Sequence, residues 1–485
     1  MPIASKALGG AAWSILAGLL SRAVGLAGTL VMTRFLAPEV MGEVTTAVVL
    51  AFTVNWATHL GFAKYLILRS SDGAEPVFHV LVLSLVIVGL PLMGLVAASD
   101  ELAVWFSAPH LTQYLPGMAL TVFIRRIGSV PEKLLSRDMR FGVIAGASAL
   151  AEVSYSLLAL LLVMRFHLGG QGVVYANIVQ AALLTLVLGV ACGPRNWLTP
   201  VPIRMRRVRD ILAYGAPLGV IAFLYEVARY ADKLVFTKLF GPARTGEYSL
   251  ASNLADVPAV QVGEQVANVL LPTLMQMDSQ RRPELVVKAV GMLLAVILPM
   301  SFGLSMIAPT LVEVLLPARW WGMTPFLAVL AATSIFRPVN ALLSQFLMSA
   351  ERNHTLMHLE VVRVAVLFAG LLILGQWNAL AATFAVGAAG LLHLVLLLVR
   401  TSALQVSTLA VLKAARPSLA SASVMAVAIF GLRQLPVWHD HASVLQLVAE
   451  FIVGCAVYVA TYVLIDPVTV REFRERIALV LSARR

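Results

Sequence analysis

The sequence predicts an all-α polytopic membrane protein of about 14 transmembrane helices, built as two pseudo-symmetric six-helix lobes plus two C-terminal helices. Three observations predict it. Of 485 residues, 60% are hydrophobic and 13% charged, and mean hydropathy is +0.88, outside the range of soluble chains. Apolar runs of helical length recur throughout, without the alternation of a half-buried strand. One stretch also occurs twice: Thr33-Arg-Phe-Leu-Ala-Pro-Glu-Val-Met-Gly-Glu-Val-Thr-Thr-Ala47 aligns without gaps on Thr237-Lys-Leu-Phe-Gly-Pro-Ala-Arg-Thr-Gly-Glu-Tyr-Ser-Leu-Ala251, 204 residues later. Such an echo, each time after a long apolar run, marks two related halves.

Taken in order, the spans of the first half are Leu8–Phe35, Glu43–Leu68, Val77–Ala98, Leu115–Leu135, Phe141–Arg165 and Val173–Cys192. The second half gives Ile211–Phe240, Glu247–Leu271, Val286–Leu315, Pro325–Met348, Thr355–Leu374 and Asn378–Val399. Two more follow at about Pro417–Leu432 and Val444–Leu464. The lobes are therefore expected at 1–200 and 205–400, the extra helices at 410–465 and a cytoplasmic basic tail at 466–485. That tail reads as a short amphipathic surface helix from Val468 onward. The opening run is too long for a cleavable signal and is interrupted by Arg22.

Charge sets the orientation. With the N-terminus inside, 24 Lys and Arg residues fall in or beside cytoplasmic connections and 6 on the opposite side. The remaining 6 of the 36 lie deep within spans. Positive loops stay inside, so both termini are expected to be cytoplasmic. This bias accounts for most of the net charge of +11 and removes the need for a nucleic-acid partner. The basic run Arg204–Arg209 reads as an anchor on anionic lipid. Trp105, Trp320, Trp321, Trp377 and Trp438 fall near outer span ends, as in an interfacial belt. Cys192 and Cys455 fit no metal or disulfide pattern and read as packing residues.

The stretch Ile211–Ala251 is apolar enough to enter a bilayer, yet holds Glu226, Arg229, Asp232 and Lys233. A charge at the centre of a membrane helix costs about 2.5–3.5 kcal/mol on insertion scales, so this face must turn toward protein or water. Gly18, Gly25 and Gly28 in the first span, and Gly215, Pro217 and Gly219 in the seventh, are candidate gating points. They read equally as close packing through small residues. His59 and His393 read as core histidines on apolar helices, with a role in ion coupling as the alternative.

Several segments together resemble a known family. Ala7–Trp13, Ser21-Arg22, Thr33–Glu39 and Gly42 look like the start of bacterial polysaccharide-transporter flippases, the O-antigen-type oligosaccharide flippases of the multidrug/oligosaccharidyl-lipid/polysaccharide (MOP) exporter superfamily. Val130–Phe141 is similar to their segment between spans four and five, Leu168–Ala176 to their entry into span six, and Asp232–Gly241 to their seventh span. The resemblance is best over about residues 7–260. It implies two six-helix lobes around a central cavity in the bacterial inner membrane. It also implies export of a polyprenyl-diphosphate-linked oligosaccharide from inner to outer leaflet for polysaccharide biosynthesis. Its expected partners are that substrate, membrane lipids, and polysaccharide polymerase and glycosyltransferase machinery.

A diphosphate head group needs cationic partners to cross hydrocarbon, while its tail can stay in lipid. The candidate cavity cations are Arg22, Lys64, Arg125, Arg126, Arg229, Lys233, Arg337 and Arg363. Arg125 and Arg337 hold similar places in the two halves, each followed fifteen residues on by another Arg, Arg140 and Arg352. The span acids Glu152, Glu226, Asp232, Asp256, Glu264 and Glu360 are candidates for ion coupling or structural salt bridges, as is Glu450 for the latter. Asp232 is expected to hold Arg229 in the empty site.

No metal pattern, nucleotide-binding loop or nucleophile constellation is seen, so no cofactor or catalytic residue is expected. Two rival readings are a cation-coupled small-molecule exporter of the same superfamily, disfavoured by the excess of Arg, and a membrane-embedded glycan ligase or polymerase. The latter needs an outer catalytic platform, and the longest outer connection, about Ser99 to Pro116, holds only Asp100, Glu101 and His110. The topology is directly testable: labelling of single cysteines placed beside Met1 and Arg485 is expected only from the cytoplasmic side, and labelling of the C-terminal site from outside overturns it.

Overall fold

The computed structural model describes residues 24–54, 74–258, 278, 280–435 and 442–467, with the backbone alone at 74, 214–229 and 258. No strand occurs among these residues. The chain divides into two compact units, Met1–Ser249 and Leu250–Arg485.

In the first unit, residues 24–32 form α1, followed by α2 (Pro38–Val54), α3 (Ala74–Ala97), α4 (Ser99–Phe106), α5 (Leu111–Arg137), α6 (Phe141–Met164) and α7 (Gly169–Cys192). The leading part of α8 (Met205–Pro258) completes it. Met32, Leu50, Val88, Leu92, Leu115, Met118, Val122 and Val163 meet in its core. α8 is two helices joined by a sharp break at Gly241, whose φ of 77° and ψ of 173° suit a residue without a side chain. Pro242 then opens the second part, a position where its missing N–H costs nothing. In the earlier copy Ala37 is non-helical and Pro38 opens α2, so the repeated sequence builds the same helix start twice.

The two copies lie against each other. A methyl group on Gly42 would run into the Pro242 carbonyl, and one on Gly246 into the Pro38 carbonyl. Thr45 and Ser249, equivalent residues of the repeat, face each other with hydroxyl oxygens 3.5 Å apart. Thr46 Oγ1 lies 3.0 Å from Thr237 Oγ1. The contacts are reciprocal: each copy offers its glycine to the other's proline carbonyl. Small residues let two membrane helices approach this closely.

The second unit comprises α9 (Arg282–Leu315), a 3₁₀ turn at Ala318–Met323, α10 (Thr324–Thr333), α11 (Phe336–Ser349), α12 (Asn353–Leu374), α13 (Ala379–Ser402), α14 (Thr408–Arg433) and α15 (Val444–Ile465). Val290, Leu293, Ile297, Leu342, Phe346, Leu397, Met425, Ile429 and Tyr458 form its core. Three successive helices begin on side-chain caps. Asn378 accepts from the Ala381 N–H at 2.8 Å, Ser407 from Ala410 at 3.3 Å and Ser443 from Gln446 at 3.1 Å.

Among the described residues nine helical segments are long and apolar enough to cross a membrane, and each overlaps an expected span. Of the other five, Leu115–Leu135 lies inside α5, whose Arg125, Arg126, Glu132 and Lys133 lower its hydropathy. Ile211–Phe240 is the first part of α8, ending at Gly241 as expected. Leu8–Phe35, Glu43–Leu68 and Glu247–Leu271 extend beyond the described residues, as do Trp438 and the tail 466–485 in large part.

One expected span is interrupted and one expectation needs correction. Pro325–Met348 falls within a single apolar segment, Ala318–Ser349, built from α10 and α11 with a break at Ser334–Ile335. Pro338 cannot donate to the Ser334 carbonyl, and the Arg337 N–H takes that acceptor instead at 3.2 Å, the tighter i→i−3 spacing. Trp320 is not a belt residue: the 3₁₀ turn buries it completely, whereas Trp105, Trp321 and Trp377 are exposed. Replacing Gly42 by Ala is expected to cost about 1–3 kcal/mol, because the obstructing atom is backbone and cannot rotate away. Thermal unfolding of the purified protein in detergent checks this, an unchanged midpoint contradicting the close crossing.

Candidate functional site

Ionisable residues set within apolar helices make up the candidate site, and the span carboxylates Glu152, Asp232, Asp256, Glu360 and Glu450 each have a polar partner. In the first unit α5, α6 and α7 bring three side chains into a line. Arg125 Nη2 donates to Gln180 Oε1 at 3.0 Å, and Gln180 Nε2 donates to Glu152 Oε2 at 2.7 Å. The amide thus presents its acceptor to the cation and its donors to the anion, relaying between charges that do not touch. The guanidinium also sits over the Phe52 ring, 5.8 Å from its centre. Arg126, next along the helix, is 5% exposed. α1 passes close by: a methyl on Gly25 would stand 2.5 Å from Glu152 Oε1, and one on Gly28 3.2 Å from Ser156 Cβ. At these two positions glycine makes room for α6.

Asp232, on α8, is buried. Tyr248 Oη donates to its Oδ2 at 2.7 Å and the Lys233 N–H to its Oδ1 at 2.8 Å. The Tyr248 ring stacks on Phe236 with centroids 4.0 Å apart. The expected Asp232–Arg229 pairing falls on a side chain outside the described residues, as do Arg22, Lys64, Glu226, Glu264, Gly18, Gly215 and Pro217.

In the second unit Arg337 emerges at the break between α10 and α11, its Nη1 2.5 Å from Asp256 Oδ1. On α12, Arg363 Nε donates to Glu360 Oε2 at 2.7 Å. Thus Arg125, Arg337 and Arg363 are each held by a carboxylate, directly or through one amide. A cation so held can trade its carboxylate for another anion without being left bare. No cluster of three or more His, Cys, Asp or Glu side chains suited to a metal occurs among the described residues.

Several partners escaped the sequence. Gln180 and Tyr248 carry no charge; the one signal was that Tyr248 replaces Val44 in the repeat. Glu43, 5% exposed beside the crossing, accepts from His110 Nδ1 at 2.9 Å, and its repeat equivalent Glu247 accepts from Arg244 at 2.8 Å. Glu450 is wholly buried and takes two bonds from Arg433, Nε to Oε1 at 2.8 Å and Nη2 to Oε2 at 3.0 Å. Thr310 on α9 adds a third at 2.8 Å, so this pair fastens α14 and α15 to α9.

Buried, paired charges on a broken, all-helical, many-span frame define a membrane transporter fold. Among solved structures the chain resembles the lipid II flippase MurJ in an inward closed conformation, with a TM-score of 0.76 at 13% identity, over 94% of this chain and 99% of that one. An inward-facing multidrug resistance MATE family transporter of the MOP superfamily follows at 0.62 and 14%, over 81% and 96%. A family model described as polysaccharide biosynthesis protein matches residues 31–325, and the chain belongs to that family. It is similar to the succinoglycan biosynthesis transport protein ExoT of Rhizobium meliloti (strain 1021), 24% identical over 322 residues, which are 66% of this chain and 64% of that protein. The lipopolysaccharide biosynthesis protein WzxC of Escherichia coli (strain K12) is 22% identical over 386 residues, 78% of this chain and 76% of that protein.

Arg433→Met alone is expected to destabilise the protein by about 3–5 kcal/mol, since Glu450 is then a buried charge without its ion partner. Adding Glu450→Leu should recover most of the loss. Thermal unfolding of the three proteins checks the order, and a double variant no better than Arg433→Met contradicts it.

Proposed function

We propose that the chain is a flippase rather than an enzyme. It carries a polyprenyl-diphosphate-linked oligosaccharide from the inner to the outer leaflet of the bacterial inner membrane by alternating access. Membership of the polysaccharide biosynthesis family carries this reading, with relatives named for succinoglycan transport and lipopolysaccharide biosynthesis and a flippase among structural neighbours. In this reading the lobes are 1–200 and 205–400, followed by the helices of 410–465 and the tail 466–485, with both termini cytoplasmic. A cationic central cavity offers Arg22, Lys64, Arg125, Arg126, Arg229, Lys233, Arg337 and Arg363 to the diphosphate. Glu152, Glu226, Asp232, Asp256, Glu264 and Glu360 hold these cations between substrates.

The observation that supports such an exchange is the Arg337–Asp256 pair, where both side chains keep partial exposure at a helix break. Arg binds phosphate oxygens two at a time, a geometry Lys cannot reproduce. Bending at Gly18, Gly25, Gly28, Gly215 and Pro217 is the proposed gating.

Deleting the gene is expected to leave lipid-linked oligosaccharide accumulating on the inner leaflet, measured by extraction and mass analysis of the lipid fraction. Arg337→Ala should reduce export tenfold or more at normal protein level, as loss of one charge-assisted contact of about 1.5–3 kcal/mol implies, with Arg337→Lys recovering part. Full export by the combined Arg22, Arg229 and Arg337 alanine variant would overturn the cationic cavity. Export of cationic drugs instead of lipid-linked sugar would favour the multidrug reading.

A further inference from the structure

His393 stands out among the groups this reading leaves unused. It lies on α13, well inside the helix, with 3% of its side chain exposed. Its Nε2 is sealed from solvent and has no hydrogen-bond partner among the described residues. An imidazole nitrogen left bare inside a protein is costly, so a group normally sits against it. The group nearest in kind is Glu360 on α12, whose Oε1 lies 3.9 Å from Nε2. That is beyond hydrogen-bond length but at ion-pair distance.

The carboxylate is not idle. Its other oxygen, Oε2, takes the Arg363 Nε bond at 2.7 Å, so Oε1 is turned toward the histidine while Glu360 stays anchored. Among the described residues Glu360 and Arg363 are the charged groups acting on His393. α10 and α11, also packed on α13, bring Thr333 to Gly387, and Phe336 and Asn340 to Gly390. The Asn340 amide is itself committed to the Gly390 carbonyl at 3.1 Å. The 3.9 Å gap fits a neutral imidazole whose Nε2 lone pair faces a carboxylate oxygen, two acceptors that cannot bond. A proton placed on Nε2 turns that contact into a donor–acceptor pair and draws α12 and α13 together there. Glu360 keeps 31% of its side chain exposed, so of the two partners it is the less enclosed.

We propose that His393 and Glu360 form a proton-binding site, filled at Nε2 and shared with Arg363 through the carboxylate. This names the coupling ion for the flippase and rests on that reading for its role in transport, though not for its existence. Binding adds one proton to the imidazole and breaks no covalent bond. The cluster's charge rises by one, which weakens the hold of Glu360 on Arg363.

The test has two separate arms on the full-length protein. In lipid nanodiscs, ¹⁵N-histidine spectra recorded from pH 5 to 8.5 are expected to show an imidazole that titrates in wild type and is absent in His393→Gln. Glu360→Gln should lower its proton affinity about tenfold, which a purely packed histidine does not predict. A His393 signal fixed in one form across the range, or a midpoint indifferent to Glu360→Gln, overturns the site. In vesicles, a pH-sensitive dye inside is expected to report proton movement stimulated by lipid-linked oligosaccharide and abolished in His393→Gln. Wild-type proton movement in His393→Gln overturns the coupling role. Absence of oligosaccharide transport in wild type counts against the flippase reading and leaves the spectroscopic result standing.

Discussion

A carboxylate or guanidinium placed among hydrocarbon has no water to turn to, and this constraint governs both units. It decides which helices touch. Glu152 on α6 reaches Arg125 on α5 only through Gln180 on α7, so one polar line fixes three helices. Glu450 and Arg433 do the same for α9, α14 and α15. Apolar packing between such helices discriminates poorly, since a lipid tail is as good a neighbour as a leucine. Polar partners, with one place to go, supply the register that apolar faces leave loose.

The pairs also differ in strength of commitment. Glu450 has no exposure and every oxygen is engaged, so it behaves as a fixed joint. Asp256 and Glu360 are partly exposed and single-sided, which leaves room for a competing ligand or proton. Under the proposed function, how completely each charge is satisfied is what separates a structural pair from one open to exchange.

Much of the frame could be read from sequence because hydropathy acts over twenty residues at a time. α3, α6, α7, α9 and α12 to α15 follow from their apolar runs. The break at Ser334–Ile335 could not be seen that way, since serine, isoleucine and phenylalanine leave the run apolar; only Pro338 hinted at it. Trp320 looked like an interfacial residue because sequence position says nothing of a 3₁₀ turn folding back on the core. At the site, the charged residues stood out by their cost, whereas Gln180 and Tyr248 did not, being neutral members of ordinary-looking helices. Pairings such as Arg433 with Glu450, or His393 with Glu360, join different helices and leave no periodic trace.

The reciprocal contact between Thr33–Ala47 and Thr237–Ala251 has a consequence for how the repeat ages. Two copies of a segment that never meet are free to drift apart, each answering to its own neighbours. Here each copy is the other's neighbour, and Thr45 faces Ser249, its own counterpart. At the contact itself, where Gly42 meets Pro242 and Gly246 meets Pro38, a bulkier residue in one copy is felt by the other. There both glycines and both prolines are kept, whereas positions away from it, such as Val44 and Tyr248, differ. The self-likeness persists where the chain is its own template, and the flanking helices, which lack that restraint, are where the resemblance fades.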